Sequence, residues 1–165
     1  DVVYTSNCVR TLQTAKYLLE KQNLKVNIDE RFDERRPGKP NSDKVPDWYE
    51  RQFFDENYKT EGGESQAEVR QRMSEAFEEV VKDNKGKRIA IFSHGNAITF
   101  FLLKWCKLES VNTNRNLCLR FNNQIVFNKR INSPDVFKIT LNDKNEVIDI
   151  ENIEFEDLDF DDFNK

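Results

Sequence analysis

A chain of 165 residues, 34% charged and 37% hydrophobic, has the composition of one soluble globular domain large enough to enclose a hydrophobic core. The net charge of −4 gives no basic surface for nucleic acid, and no apolar run approaches the ~20 residues of a membrane helix. Three widely spaced cysteines and one histidine supply neither a disulfide framework nor a metal-ligand set, which sets the expectations of no metal, no cofactor and a reducing, cytoplasmic setting.

The chain opens on "DVVYTSN", which has neither the basic start nor the apolar stretch of a signal peptide. Val2 to Thr5 form a β-branched and aromatic run, the pattern of a core strand already under way at residue 1. After a turn at Ser6 and Asn7, "CVRTLQTAKYLLEKQ" places Val9, Leu12, Ala15, Leu18 and Leu19 on one predicted helical face. "LKVNID" reads as a second strand. From Glu30 to Thr60 the pattern is irregular, with Pro37, Pro40 and Pro46 and five aromatics from Trp48 to Tyr58. A stretch so long and so aromatic suits a cap over a site.

Past Gly62 and Gly63, "ESQAEVRQRMSEAFEEVVKDN" repeats Val69, Met73, Phe77 and Val80 or Val81 at helical spacing behind a Glu-Ser start. "KRIAIFS" is the clearest buried strand, and "GNAITFFLLKWC" the helix after it. Strand and helix alternating in this order predict a parallel sheet covered on both faces. "DVFKITLNDKNEVIDIENI" alternates Phe137, Ile139 and Leu141 with polar residues and reverses at Asp143-Lys144-Asn145, an antiparallel hairpin at the C-terminal edge of the sheet. The expected architecture is α/β, three layers α/β/α with a mostly parallel central sheet. One domain takes in residues 1–153, and an acidic tail, 154–165, mixes acids with phenylalanines.

In open parallel sheets, ligands lie beyond the carboxyl ends of the strands. Two such ends carry suggestive residues: "YTSNCVR", with Arg10 in the first turn of a helix, and "IFSHGN", with His94, the single histidine, where a strand gives way to a helix. Helix starts offer free N–H groups to an anion, arginine grips a phosphate with two parallel bonds, and histidine shares charge with the same oxygens. Taken one at a time, each of these residues is as well explained by a turn, a solvated side chain or helix punctuation.

Together, and in this order, they resemble the histidine phosphatase superfamily, the phosphoglycerate mutase-like proteins. "DVVYTSNCVRTLQTAKYL" is similar to the family's strand, Ser-rich turn and Arg-containing helix, which implies that Arg10 binds phosphate. "IDERFDERRPG" resembles the segment bearing the general acid, implying Glu34 in that role with Arg35 beside it. "GGESQAEVRQR" resembles the Gly-Glu-Ser helix start with a later arginine, Arg72. "IAIFSHGNAITFFLL" resembles the second-histidine motif, implying catalytic and phosphate-binding roles for His94 and phosphate binding by Asn96. The resemblance also implies a nucleophilic histidine in an Arg-His-Gly strand, expected upstream of residue 1, since the sequence holds no such motif.

The expected activity is therefore phosphomonoester hydrolysis through a phosphohistidine. The alternatives are an inactive member that binds a phosphate or phosphoprotein, and a phosphoglycerate mutase. Arg35, Trp48 and Tyr49 are possible substrate-binding residues, although packing of the loop on the core accounts for the aromatics better. Expected partners are a small phosphomonoester or a phosphopeptide, not nucleic acid or membrane, with the chain a monomer or homodimer.

Overall fold

The structure is a computed structural model that describes residues 1–39, 48–112 and 114–154, the side chain of Trp48 excepted. The expected acidic tail lies, beyond residue 154, outside the described residues.

β1 (Val2–Thr5) runs parallel to β2 (Val26–Ile28) on one side and to β3 (Ile89–Phe92) on the other, with Val3 opposite Val26 and Ala90. β1 buries Val3 and Thr5, while Tyr4, on the other face, sets its ring edge-on to Phe32 at 6.4 Å and accepts a hydrogen bond from Asn84. Both faces of the sheet are therefore covered, as a βα alternation requires. β3 is only half-buried throughout, not the most buried strand that its sequence predicts. It lies at an edge of this sheet and pairs with β1 alone among the described residues.

α1 (Val9–Gln22) packs on β1 and β3 and buries Thr11 and Ala15, with Leu12, Leu18 and Leu19 half-buried. Val9, expected on that face, is 70% exposed. At ~100° per residue it lies about 200° around the helix from Thr11. α2 (Trp48–Phe54) is short. α3 (Gln66–Asp83) starts with a reciprocal capping box between Ser65 and Glu68 and buries Val69, Met73, Ala76, Val80 and Val81. α4 (Gly95–Leu102) follows β3, and α3 and α4 pack on each other.

An antiparallel meander not anticipated from the sequence comes next: β4 (Lys107–Val111), β5 (Asn116–Phe121) and β6 (Gln124–Arg130). Asn122 and Asn123 turn β5 into β6, both at positive φ, as a tight two-residue hairpin demands. β7 (Val136–Leu141) and β8 (Val147–Ile153) form the expected hairpin, with Asn145 at positive φ in its turn. It is a two-stranded sheet of its own whose neighbour is β6, and it does not extend the parallel sheet. One apolar cluster joins the parts: Phe32 and Phe53 from the 30–54 region, Phe100 and Leu102 from α4, Leu119 from β5, Phe127 from β6 and Ile150 from β8. The class is mixed α/β, a parallel sheet with antiparallel strands beside it.

Candidate active site

The carboxyl ends of β1 and β3 lie side by side, because the two strands pair in parallel from Val2 and Ile89 to Thr5 and Phe92. Each is followed by a helix start, so Arg10 in the first turn of α1 and His94, the residue preceding α4, emerge at the same place. Arg10 Nε donates to His94 Nδ1 at 2.9 Å. The other ring nitrogen, Nε2, meets Ser6 Oγ at 2.8 Å. His94 as a whole is 6% exposed. Burial, helped by the charge of Arg10, holds its pKa below the ordinary histidine value, against the opposing pull of Glu34 and Asp33. Arg10 itself reaches solvent, and its two Nη groups make no hydrogen bond among the described residues.

Glu34 reaches the site from the loop after the 3-10 turn Glu30–Phe32. Its Oε1 accepts from the N–H of Ala97, in the first turn of α4, at 3.1 Å and from Arg35 N–H at 2.8 Å. The carboxylate thus caps α4 directly after His94, where the open N–H groups favour negative charge. Two further bonds hold the loop to the strand ends: Asn7 N–H to Asp33 Oδ1 at 2.7 Å and Ser93 Oγ–H to the Phe32 carbonyl at 2.7 Å. Asn96 occupies the second position of α4, half-buried.

Behind the loop sits a charged clamp. Arg72, two turns into α3, donates to the carbonyls of Arg31, Asp33 and Glu34 and to both oxygens of Glu64. Glu64 is buried, which alone would push its pKa up, but Arg72 and the N–H of Arg36 hold it below the usual carboxylate range. Arg35 is also buried and directs Nε to the Glu64 carbonyl at 2.9 Å, and burial lowers its pKa. Tyr49 packs edge-on to Phe53 at 5.4 Å beneath the guanidinium of Arg115, 5.0 Å from its ring centre. Burial pushes its phenol up. The Trp48 side chain lies outside the described residues.

Arg10, His94 and Glu34 therefore converge, with Asn96 on the same helix start, whereas the guanidinium of Arg35 turns to the clamp and Tyr49 joins the core. The sequence reading passed over Ser6, Thr11 and Asp33. A hydroxyl directly after a strand, five residues ahead of a second hydroxyl on the next helix, was the available signal for the first two.

Among the described residues no group of three His, Cys, Asp or Glu side chains is placed to hold a metal ion, and no helix is long and apolar enough to cross a membrane. Cys8, Cys106 and Cys118 are free thiols.

The family described as the histidine phosphatase superfamily (branch 1) matches residues 1–124. No curated protein matches the chain. Among solved structures, a mycobacterial glucosyl-3-phosphoglycerate phosphatase is similar at 22% identity and a TM-score of 0.55, over 62% of this chain and 56% of that one. The chain thus spans little more than half the length of that relative. YhfR of Bacillus stearothermophilus is similar at 19% identity and a TM-score of 0.55, over 74% of this chain and 73% of that one. The alpha-ribazole phosphatase of Shigella flexneri is similar at 17% identity and a TM-score of 0.50, over 75% and 73%. At these identities the likeness is one of fold.

Proposed function

We propose that this chain, which belongs to branch 1 of the histidine phosphatase superfamily, holds the phosphate and moves the proton in phosphomonoester hydrolysis through a phosphohistidine. One observation carries the reading: Arg10 leans its Nε on His94 and turns its Nη fork to solvent, at the strand ends where Glu34 caps α4. A guanidinium fork matches two phosphate oxygens. The first-turn N–H groups of α4, Asn96 among them, add partial positive charge beside it.

Both nitrogens of His94 are engaged, so it is poorly placed to attack phosphorus. The nucleophile in this reading is a second histidine, supplied from outside the sequence given. It attacks phosphorus in line and the ester P–O bond breaks. The departing alkoxide takes a proton from Glu34, whose Oε2 is the oxygen left over when Oε1 is held by two N–H groups. Water then attacks the phosphohistidine, gives its proton back to Glu34 and releases inorganic phosphate and the free imidazole. Arg10 and the α4 start stabilise charge on the transferring group before and after each step. The substrate is a small phosphomonoester or a phosphopeptide.

The test is hydrolysis of p-nitrophenyl phosphate by the complete natural protein. Arg10→Ala should cost about 10²–10³ in kcat/KM, the loss of one preorganised donor. Full turnover by that variant would overturn the placement of the site. A second reading, a phosphate- or phosphopeptide-binding module, is favoured by the engagement of both nitrogens of the chain's single histidine. It predicts phosphate binding that depends on Arg10 without any turnover.

A further inference from the structure

The hydrogen bonds around His94 form a chain whose direction can be worked out proton by proton. Arginine nitrogens only donate, so Arg10 Nε–H must give its proton to a lone pair on His94 Nδ1. A neutral imidazole then carries its one proton on Nε2 and donates it to Ser6 Oγ, 2.8 Å away. Ser6 Oγ also lies 2.8 Å from Thr11 Oγ1. Thr11 Oγ1 lies 2.7 Å from the Cys8 carbonyl, which only accepts, so its proton goes there and its lone pairs face Ser6. Ser6 therefore donates to Thr11. The run is Arg10 to His94 to Ser6 to Thr11 to the Cys8 carbonyl; the Ser6 carbonyl is a second, more distant acceptor for Thr11 at 3.4 Å, and the Cys8 N–H donates to Ser6 Oγ at 3.4 Å, and neither reverses the direction of the run.

This chain closes on itself. Arg10, Thr11 and the Cys8 carbonyl all belong to the start of α1, and Ser6, fully buried, directly follows β1. We propose that Ser6 and Thr11 are positioning residues that fix His94 as its Nε2–H tautomer, and through Nδ1 aim the Nη fork of Arg10. A fixed donor on Arg10 Nε leaves the guanidinium one orientation about its last torsions, so the fork is set before a ligand arrives. The aiming half of this proposal rests on the phosphate reading above, and the tautomer half does not.

The complete natural protein is labelled with ¹⁵N-histidine, and both ring nitrogens of His94, assigned by the loss of their signals in His94→Gln, are read by NMR near pH 7.5. The wild-type chain should show an unprotonated Nδ1 and a protonated Nε2. Thr11→Val keeps the volume and removes the acceptor for Ser6, whose hydroxyl can then donate to His94 Nε2 in competition with Arg10 donating to Nδ1, so it should give mixed tautomers, while Thr11→Ser should restore one. The same samples are titrated with inorganic phosphate. Thr11→Val should bind it about tenfold more weakly than wild type, the worth of one hydrogen bond, and Thr11→Ser at near wild-type strength. A wild-type Nδ1–H tautomer, or a folded Thr11→Val chain with the wild-type pattern, would overturn the proposal. Wild-type chain that shows the expected tautomer but binds no phosphate would overturn the aiming half and, with it, the reading of the site.

Discussion

Glu64→Ala strips the clamp behind the acid loop of its counter-charge. Glu64 takes bonds of 2.9 and 3.1 Å from Arg72 and 2.9 Å from the Arg36 N–H, and the two side chains of the pair are only 8% and 19% exposed. Breaking a pair so buried leaves a cation without its partner, at a cost of about 3–5 kcal/mol. Arg72 keeps its three carbonyl acceptors, which places the expectation at the lower end, about 3 kcal/mol. For a chain of this size that lowers Tm by roughly 6–12 °C. With a urea slope of about 2 kcal/mol/M it moves the midpoint by ~1.5 M. The assay is urea unfolding followed by circular dichroism at pH 7, with Arg70→Ala as control. Arg70 pairs with Glu56 nearer the surface, and its loss should cost under about 1 kcal/mol. A Glu64→Ala midpoint no lower than that of the control, at unchanged slope, would refute the idea that the clamp holds the loop.

Stability should fall in two acid steps. The folded-state pKa of His94 is depressed, so its contribution is complete above the ordinary value of about 6.5 and is lost as pH drops through the folded value. His94→Gln should flatten the midpoint-against-pH curve in that window. The Glu64 contribution is likewise complete above about 4.5 and lost as pH falls through its own depressed value, a step that Glu64→Gln should remove. Gly38→Ala should destabilise severely, since at φ +68° a Cβ would stand 2.6 Å from the Glu61 carbonyl oxygen and 2.6 Å from Gly63 N. Gly62→Ala, at φ +74° with nothing within 4 Å, should cost only the left-handed strain of about 1 kcal/mol, and the contrast is read in the same urea titration. Phe100→Ala, fully buried and edge-on to Phe53 at 5.3 Å, should cost about 3–5 kcal/mol by the same method.

The parallel sheet and its helices were legible because hydrophobic period and chain order determine them together: Val3 and Thr5, Val69 and Met73, and Phe100 lie where those patterns put them. The convergence of Arg10 and His94 was legible for the same reason, since adjacent parallel strands bring their carboxyl ends together. Val9 fell on the wrong face because apolar spacing over one turn does not say which side meets the sheet. The β4–β6 meander was missed although Asn122-Asn123 between alternating runs signals a tight hairpin. Glu34 was reached only through resemblance, because the bond that seats it, from Ala97 N–H, spans 63 residues and leaves no local trace. The same holds for Arg35, whose sequence neighbours gave no hint that Glu64 would draw it inward.

Arg72 carries one further consequence. The carbonyls it grasps lie 41, 39 and 38 residues earlier in the chain, and each contact closes a long loop before it gives anything back. The parallel pair β1–β2 closes over the shorter span from Val3 to Val26, filled by helix α1, so it can form while the 31–36 segment is still searching. The acid-bearing loop belongs with the late-forming, first-opening part of the molecule. In hydrogen exchange, the Ala97 N–H should lose protection together with the middle of α3, ahead of β1. Glu34, the proton donor of the proposed reaction, is only as persistent as the docking of α3, whose Arg72 grips the Glu34 carbonyl.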